Sequence, residues 1–199
     1  MVGKIYFVGG ANGSGKTAMV NELRKILADT VEVHDFDDIG VPIDADKAWR
    51  QKTTEHWLQR LLSDGRDTCL LGQMVLGEIL ACPSAHRLGS VNFCLLDVCD
   101  TERIKRLKVR GTQDARQETL NWASWLRMHH QDPTWAQHVI TENSWDGLCF
   151  DVWTHCQSWH SRAKVHVMDT TGKSLRFVAH ALAGLIKGAF FMDAATQTT

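Results

Sequence analysis

Residues 10–17 read Gly10-Ala11-Asn12-Gly13-Ser14-Gly15-Lys16-Thr17, which is the pattern G-x-x-x-x-G-K-[ST]. The segment follows directly on the apolar run Ile5-Tyr6-Phe7-Val8, so it predicts a strand that ends in a phosphate-binding loop. Glycines let the backbone fold round a phosphate with successive N–H groups pointing inward, and a helix that begins near Gly15 adds the positive end of its dipole. The sequence therefore predicts a nucleoside triphosphate site from Gly10 to Ala18.

Two side chains of this loop have predicted chemical roles. Lys16 is placed to reach the β- and γ-phosphates as a point charge, which makes it a catalytic candidate, and the Thr17 hydroxyl is placed to ligate Mg²⁺. The alternative is a glycine-rich turn that binds nothing, and the strand directly before the loop disfavours it.

The composition excludes several classes of protein. A chain of 199 residues with 44% hydrophobic content fits one domain with a full-sized core, and a net charge of −1 gives no general attraction to nucleic acid. The longest apolar stretch, residues 177–191, is broken by His180 and Lys187, so we expect no membrane partner. The N-terminus leaves no room for a signal peptide, and none of the six cysteines forms a C-x-x-C pair. We therefore expect a cytoplasmic protein with reduced cysteines.

Apolar runs alternate with amphipathic segments along the chain. This alternation predicts an α/β fold with a doubly wound, parallel, five-stranded sheet, in which ligands bind beyond the carboxyl ends of the strands. The phosphate-binding loop, the acidic residues 35–38, Gln73 and Asp169 all fall at such ends and should face one cleft. The predicted strands cover 5–8, 31–33, 68–72, 91–98 and 165–168, and the predicted helices cover 16–28, 45–62, 74–81, 101–110, about 117–130 and about 175–186.

The domain organisation predicted from these segments is simple. Residues 1–192 form a single domain, with a lid at about 111–120 and a helical cap region at about 120–162, and residues 193–199 form a flexible tail. The stretch 133–162 has no clear periodicity.

Around these segments the chain resembles the small P-loop kinases, a group that includes adenylate-kinase-like, shikimate- and gluconate-kinase-like and chloramphenicol-phosphotransferase-like proteins. The resemblance covers roughly residues 3–116 and 164–188. It implies a nucleotide-kinase-like fold with a helical lid, and it implies ATP and Mg²⁺ as cofactors. It also implies an enzyme that moves the γ-phosphate of ATP to a hydroxyl or phosphate of a small molecule.

The sequence Asp35-Phe36-Asp37 follows the second predicted strand. Metabolite kinases of the group carry Asp-x-Asp at this place, so the resemblance implies that Asp35 holds Mg²⁺ through water and that Asp37 accepts or orients the proton of the attacking hydroxyl. Residues two apart in an extended segment point to the same side, which lets both carboxylates converge. The alternatives are that Asp37 and Asp38 only cap a turn, or that Asp38 takes the substrate role of Asp37.

Three arginines, Arg103, Arg106 and Arg110, share one helical face because their spacings are three and four. In the kinases that the chain resembles, arginines of this helix stack on the adenine and clamp the phosphates. The resemblance also implies that Arg116 projects from the lid as a catalytic residue and that Asp169 and Thr170 wrap the adenine edge. The alternative is a solvated basic face paired with acidic residues of the same helix.

The end of the third predicted strand differs from that of many P-loop proteins. Many of them end the third strand with a carboxylate that positions Mg²⁺, whereas here that strand ends in Leu71-Gly72-Gln73. This leaves Asp35 as the metal-side candidate, and Gln73 either contacts the substrate or caps the next helix. Trp49, Arg50 and Trp57 are predicted to line the acceptor pocket.

Six of the eight tryptophans lie between Trp122 and Trp159. Trp122, Trp125 and His129 share a helical face, which favours packing in the core or under the lid, and an aromatic cap over a planar acceptor is the alternative. His155, Cys156 and His160 are too few for a structural zinc site.

Two other classes of function compete with the kinase. A regulatory P-loop NTPase is suggested by Asp37-Asp38-Ile39-Gly40, which spells D-x-x-G, but the chain has no N-K-x-D guanine-binding motif. A nucleotide-binding module without turnover is the third possibility. The sequence leaves the identity of the acceptor open.

Overall fold

Five parallel strands form the central sheet of the computed structural model, which describes residues 3–151 and 163–188. The strand order is β2-β3-β1-β4-β5, so the phosphate-binding loop leaves the central strand. In the register, Phe7 of β1 lies between Leu70 of β3 and Phe93 of β4. This arrangement confirms the predicted doubly wound parallel sheet. The strands are β1 (Ile5–Gly9), β2 (Glu32–Asp35), β3 (Thr68–Leu71), β4 (Val91–Asp97) and β5 (Ala163–Asp169).

The helices differ from their predicted bounds by a few residues at most. For example, the second helix begins at Lys47 because the Asp46 carboxylate accepts the Trp49 N–H at 2.7 Å and so caps it. Short 3₁₀ turns cover Phe36–Ile39 and Pro83–Arg87. The helices are α1 (Lys16–Leu27), α2 (Lys47–Asp64), α3 (Leu76–Ala81), α4 (Asp100–Arg110), α5 (Gln117–Gln131), α6 (His138–Thr141) and α7 (Leu175–Ile186).

Two hydrophobic cores hold the sheet, one on each face. The first includes Phe7 and Phe93 of the sheet with Trp57 of α2, and α3 and α5 contribute to the same core. The second packs Leu23 of α1 and Leu182 of α7 against the other face. Burying one such side chain contributes about 1.5–3 kcal/mol, so the strand ends that carry the candidate site are firmly placed.

One face of α5 carries the rings of Trp122, Trp125 and His129, which pack against one another and against α3. Trp122 stacks on Trp125 with 5.1 Å between ring centroids, and Trp125 stacks on His129 at 4.4 Å. His129 accepts the Gly77 N–H at 3.0 Å, and burial lowers its pKa to about 3, so the imidazole stays neutral. This arrangement agrees with a packing role for the face.

The segment after α5 is docked on α2 by polar contacts. Lys47 donates to the carbonyl oxygens of Val139 at 2.8 Å and Glu142 at 2.5 Å, and Gln51 donates to that of Ile140 at 2.9 Å. The lid and cap bounds stay predictions. The tail 193–199 and the residues His155, Cys156 and His160 lie outside the described residues.

Cysteines 69, 82, 94, 99 and 149 are free thiols in the structure. Burial raises the pKa of Cys69, Cys82 and Cys94, because a thiolate is disfavoured in an apolar core. Across residues 3–151 and 163–188, no helix has both the length and the apolar character that crossing a membrane requires.

Candidate functional site

The phosphate-binding loop joins β1 to α1 at the centre of the sheet. Gly13 and Gly15 have φ of 83° and 100°, a left-handed conformation that side-chain-bearing residues rarely adopt. A Cβ on Gly13 would also lie 3.2 Å from Cγ of Arg103. The loop conformation therefore depends on glycine at these positions, and it directs the N-terminus of α1 toward the cleft.

Lys16 is buried at the start of α1. Its Nζ donates to the carbonyl oxygens of Gly10 at 2.7 Å and Ala11 at 3.2 Å. Burial lowers the pKa of Lys16 to about 8, and the charge of Arg103 lowers it further, whereas the nearby carboxylates of Asp37 and Asp35 oppose the shift. The buried ammonium group therefore lines the cavity as a charged group whose hydrogen bonds go to neutral carbonyl oxygens.

A cavity of about 570 Å³, here called the phosphate cavity, lies at the carboxyl ends of the strands. It brings together most of the residues predicted for nucleotide and metal. Asp114, Gly72 and Leu107 also line it, and sequence reasoning had not assigned roles to them. The predicted residues that line it are Asn12, Gly13, Gly15, Lys16, Thr17, Ala18, Asp35, Asp37, Gln73, Arg106 and Arg110.

The acidic segment after β2 forms a reciprocally capped turn. Asp35 Oδ1 accepts the Asp37 N–H at 3.1 Å, and Asp38 Oδ2 accepts the Asp35 N–H at 3.1 Å. Asp38 also pairs with Arg24 at 3.0 Å. The structure therefore does not bring Asp38 to the cavity as a substrate contact, because its carboxylate caps the turn and binds Arg24 instead. Of Asp37 and Asp38, it is Asp37 whose carboxylate lines the cavity.

The pKa of Asp37 is raised above its usual value. Burial is the main cause and the negative charge of Asp35 adds to it, while Lys16 acts in the opposite direction. A carboxylate with a raised pKa is a better proton acceptor than an exposed one.

Thr17 and Asp35 offer oxygen atoms on the same cavity. Mg²⁺ prefers oxygen ligands and usually takes only one or two carboxylates from the protein, the rest coming from phosphates and water. Among the residues described, no group of three or more His, Cys, Asp or Glu side chains is arranged to hold a metal ion. The donor set therefore fits Mg²⁺ that arrives with a nucleotide.

Arg103 has a structural role, which corrects the expectation that it stacks on adenine or clamps phosphate. Its side chain is 0% exposed. It donates to the carbonyl oxygens of Asn12 at 2.8 Å and Val98 at 3.1 Å, and to Oδ1 of Asp97 at 2.7 Å. Arg103 thus fastens the phosphate-binding loop to the end of β4.

Arg106 connects the phosphate cavity to a neighbouring cavity of about 340 Å³, here called the base-side cavity. Its guanidinium donates to the Thr170 carbonyl at 2.8 Å and Oγ1 at 3.1 Å. Ser14 and Thr170, both predicted nucleotide contacts, line the base-side cavity with Arg106. This cleft beside the loop is partly apolar, since Met19, Leu175 and Val178 also line it.

Two predicted residues lie elsewhere. The Asp169 carboxylate accepts the Thr171 N–H at 2.9 Å and hydroxyl at 2.6 Å, and it lines neither cavity. Arg116 is exposed at the start of α5, where the structure does not bring it into the phosphate cavity. Asp114 is the residue of that loop that reaches the cavity.

On the other side of Asp37 lies a cavity of about 380 Å³, here called the acceptor cavity. Asp37 and Gln73 line both this cavity and the phosphate cavity. Gln73 Nε2 donates to Asn12 Oδ1 at 2.8 Å, so it links β3 to the phosphate-binding loop. The predicted residues Trp49 and Arg50 are part of the wall. Trp57 is not, because it is buried in the first hydrophobic core, where its Nε1 donates to the Phe36 carbonyl oxygen at 3.0 Å. The full lining is Phe36, Asp37, Val41, Ala45, Asp46, Lys47, Trp49, Arg50 and Gln73.

Comparisons with known proteins give results only at the level of structure. No family model and no curated protein matches the chain. A sugar kinase from Janibacter sp. HTCC2649 is 15% identical with a TM-score of 0.51, covering 99% of each chain. Shikimate kinase from Acinetobacter baumannii, in complex with shikimate, is 14% identical with a TM-score of 0.51, covering 96% of each chain.

Thymidylate kinase from Candida albicans is 12% identical with a TM-score of 0.54, over 94% of this chain and 92% of that one. These similarities span nearly the whole length of each protein. The chain has the fold of the small P-loop kinases.

Proposed function

We propose that the chain is an ATP-dependent phosphotransferase that moves the γ-phosphate of ATP to a small-molecule acceptor. The observation that carries this proposal is the shared wall between two cavities. Asp37 and Gln73 line both the phosphate cavity and the acceptor cavity, so a γ-phosphate and an acceptor would meet beside them. Phosphoryl transfer needs mainly positioning and charge stabilisation, and adjoining cavities supply the positioning.

The nucleotide side supplies the positive charge. Lys16, Arg106 and Arg110 all line the phosphate cavity and would bind the triphosphate together with the N–H groups of the loop. Thr17 and Asp35 would hold Mg²⁺, whose charge offsets that of the phosphate oxygens when it is bound. The adenine would lie in the base-side cavity against Arg106 and Thr170.

The acceptor side supplies the general base that accepts the proton. Asp37 would orient the attacking hydroxyl and take its proton, and its raised pKa suits this task. The sugar kinase and the shikimate kinase among the structural neighbours are named for small hydroxylated substrates, which supports the same class of reaction.

A regulatory NTPase or a binding module would not need the acceptor cavity. The three possibilities are separated by measuring ADP release with and without a panel of small-molecule acceptors. A kinase releases ADP in proportion to the acceptor, a hydrolase releases it equally without one, and a binding module releases none.

The sharpest variant is Asp37→Asn, with Asp38→Asn as its matched control. Loss of a general base typically lowers the rate by about 10²–10⁴-fold, so acceptor-dependent ADP release should fall by that factor while ATP binding persists. Asp38→Asn should retain turnover, because Asp38 faces Arg24. Near-normal turnover in Asp37→Asn would remove Asp37 from the proposed mechanism.

A further inference from the structure

The acceptor cavity is bordered by three features that commonly bind anions. They are the N-terminus of α2, the ammonium group of Lys47 and the guanidinium of Arg50. If they were available, an acceptor with a phosphate or carboxylate group would be favoured. The structure shows that each of them already has an internal partner.

Arg50 is bound to a buried carboxylate. Its Nε donates to Oε2 of Glu78 at 3.0 Å and its Nη2 donates to Oε1 at 2.5 Å, which is a bidentate pair. The Glu78 side chain is 0% exposed, and Gln51 also donates to it at 2.9 Å. A ligand that drew Arg50 away would leave an uncompensated charge in the core, so this arginine is a poor anion receptor.

The other two features are occupied as well. Lys47 donates to the neutral carbonyl oxygens of Val139 and Glu142, which hold its ammonium group against the segment after α5. Because Arg50 is paired with Glu78, the charge of Lys47 is the single positive charge set against the carboxylates of Asp37 and Asp46 in this lining. At the N-terminus of α2, the Asp46 carboxylate accepts the Trp49 N–H at 2.7 Å, in the position that a bound anion would take.

The remaining lining is acidic and apolar. Asp37 and Asp46 place two carboxylates at the cavity. Phe36, Val41 and Trp49 form an apolar side, in which Phe36 meets the edge of Trp49 with 6.1 Å between centroids and an interplanar angle of 87°. Such a wall suits a flat or apolar surface and repels an anion.

We propose that the acceptor is an uncharged alcohol with an apolar or aromatic face, and not an acid or a phosphate ester. This inference rests on the proposed function. In the step, the alcohol oxygen forms a bond to the γ-phosphorus, the bond from that phosphorus to the β-phosphate bridging oxygen breaks, and the alcohol proton passes to Asp37. The products are a phosphate monoester of the alcohol and ADP.

The charge of the cavity is measured without knowing the acceptor. The charge is read from the quenching of Trp49 fluorescence. The Trp49 signal is obtained by subtracting the emission of the Trp49→Phe variant from that of the wild-type protein. At constant ionic strength, and with each quenching constant divided by that of free N-acetyltryptophanamide, caesium should quench this difference signal more strongly than iodide, because cations collect beside Asp37 and Asp46. Asp37→Asn should reduce the preference for caesium. A larger normalised constant for iodide in the wild-type protein would overturn the proposal.

The acceptor class is tested by ADP release with matched pairs that differ in one anionic group. The pairs are the methyl ester and the free acid of shikimate, of glucuronate and of 4-(hydroxymethyl)benzoate, so every hydroxyl is kept and only the charged group differs. We expect the methyl esters to give kcat/KM values at least about 100-fold above their charged partners, a discrimination typical of sites that lack a partner for a charge. Preference for a charged partner would overturn this inference and leave the proposed function standing. Failure of every compound would count against the proposed function, while the quenching result would still decide the charge of the cavity.

Discussion

The two cavities on either side of Asp37 use their positive charges differently. On the nucleotide side, Lys16, Arg106 and Arg110 line the phosphate cavity, and the Glu102 partner of Arg106 is itself partly exposed. On the acceptor side, Arg50 is neutralised by buried Glu78. A count of basic residues near a site therefore says little about the ligand, because what each cation contacts decides its role.

The two sides also differ in how they are held. Asn12 in the phosphate-binding loop is fixed from two directions, since Gln73 binds its side chain and Arg103 binds its carbonyl oxygen. The acceptor wall depends on the capped turn after β2 and on the Arg50–Glu78 pair. Substitutions in the loop contacts and substitutions in the acceptor wall should therefore have separable effects on nucleotide binding and on acceptor binding.

The largest effect is expected from Arg103→Met, which would break the support of the nucleotide side. Removing one partner of a buried ion pair typically costs about 3–5 kcal/mol, and Arg103 binds Asp97 with no exposure of its own side chain. Urea denaturation measures the loss. The control is Arg127→Met, which touches the same Asp97 but has a side chain that is 34% exposed, and it should cost less than about 1 kcal/mol. Equal losses would show that burial of Arg103 is unimportant.

Next in size is Lys16→Ala, which should remove the nucleotide response and leave the acceptor side intact. At a ligand concentration a hundredfold above Kd, binding stabilises the folded protein by about 2.7 kcal/mol. We expect the shift in Tm with ATP and Mg²⁺ to disappear in this variant. Lys25→Ala is the control, since Lys25 is exposed on α1 and pairs with Glu22. A retained shift would contradict the role of Lys16.

A smaller effect is expected from pH on ATP binding. The pKa of Lys16 is lowered to about 8, so without ligand it loses its proton as the pH rises through that value, whereas bound phosphate favours the charged form. The Kd for a non-hydrolysable ATP analogue should therefore rise about tenfold between pH 7 and pH 9, with proton uptake on binding, because each pH unit above the pKa reduces the protonated fraction about tenfold. Calorimetry in buffers of different ionisation enthalpy measures both. In Lys16→Arg, whose guanidinium does not titrate in this range, residual binding should show no such trend.

The smallest effect is expected for the loop after α4, which is predicted to be part of a lid. Arg110 and Asp114 line the phosphate cavity, so a bound ATP analogue should hold this loop and slow tryptic cleavage after Arg110 several-fold. Cleavage after Arg66, which lies beyond α2 and away from the cavities, gives the reference rate. Equal protection at the two sites would argue against closure.

The sequence motif was enough to predict the first strand and the loop that follows it. The pattern of residues 10–17 after an apolar run predicted both the central strand and the loop, and hydrophobic periodicity predicted the parallel sheet. Spacing placed Arg103, Arg106 and Arg110 on one helical face but did not show that Arg103 lies under the loop. That placement depends on the distance between α4 and the end of β4, which sequence spacing does not contain.

The acceptor side was harder to predict because its decisive contacts are distant in sequence. Arg50 and Glu78 are 28 residues apart, and Lys47 and Val139 are 92 apart. The choice between Asp37 and Asp38 depended on the 3₁₀ turn, in which Asp38 turns back to the Asp35 N–H. Tertiary packing of this kind leaves no local pattern in the sequence.

The wall shared by Asp37 and Gln73 has a consequence for kinetic order and for inhibitors. Because the two cavities adjoin, direct transfer requires both ligands to be present together, so double-reciprocal plots should intersect rather than run parallel as in a ping-pong scheme. A single compound that joins adenosine to the alcohol through a polyphosphate tether would fill both cavities at once. It would bind more tightly than either half alone, since the second half associates without a further loss of translational freedom.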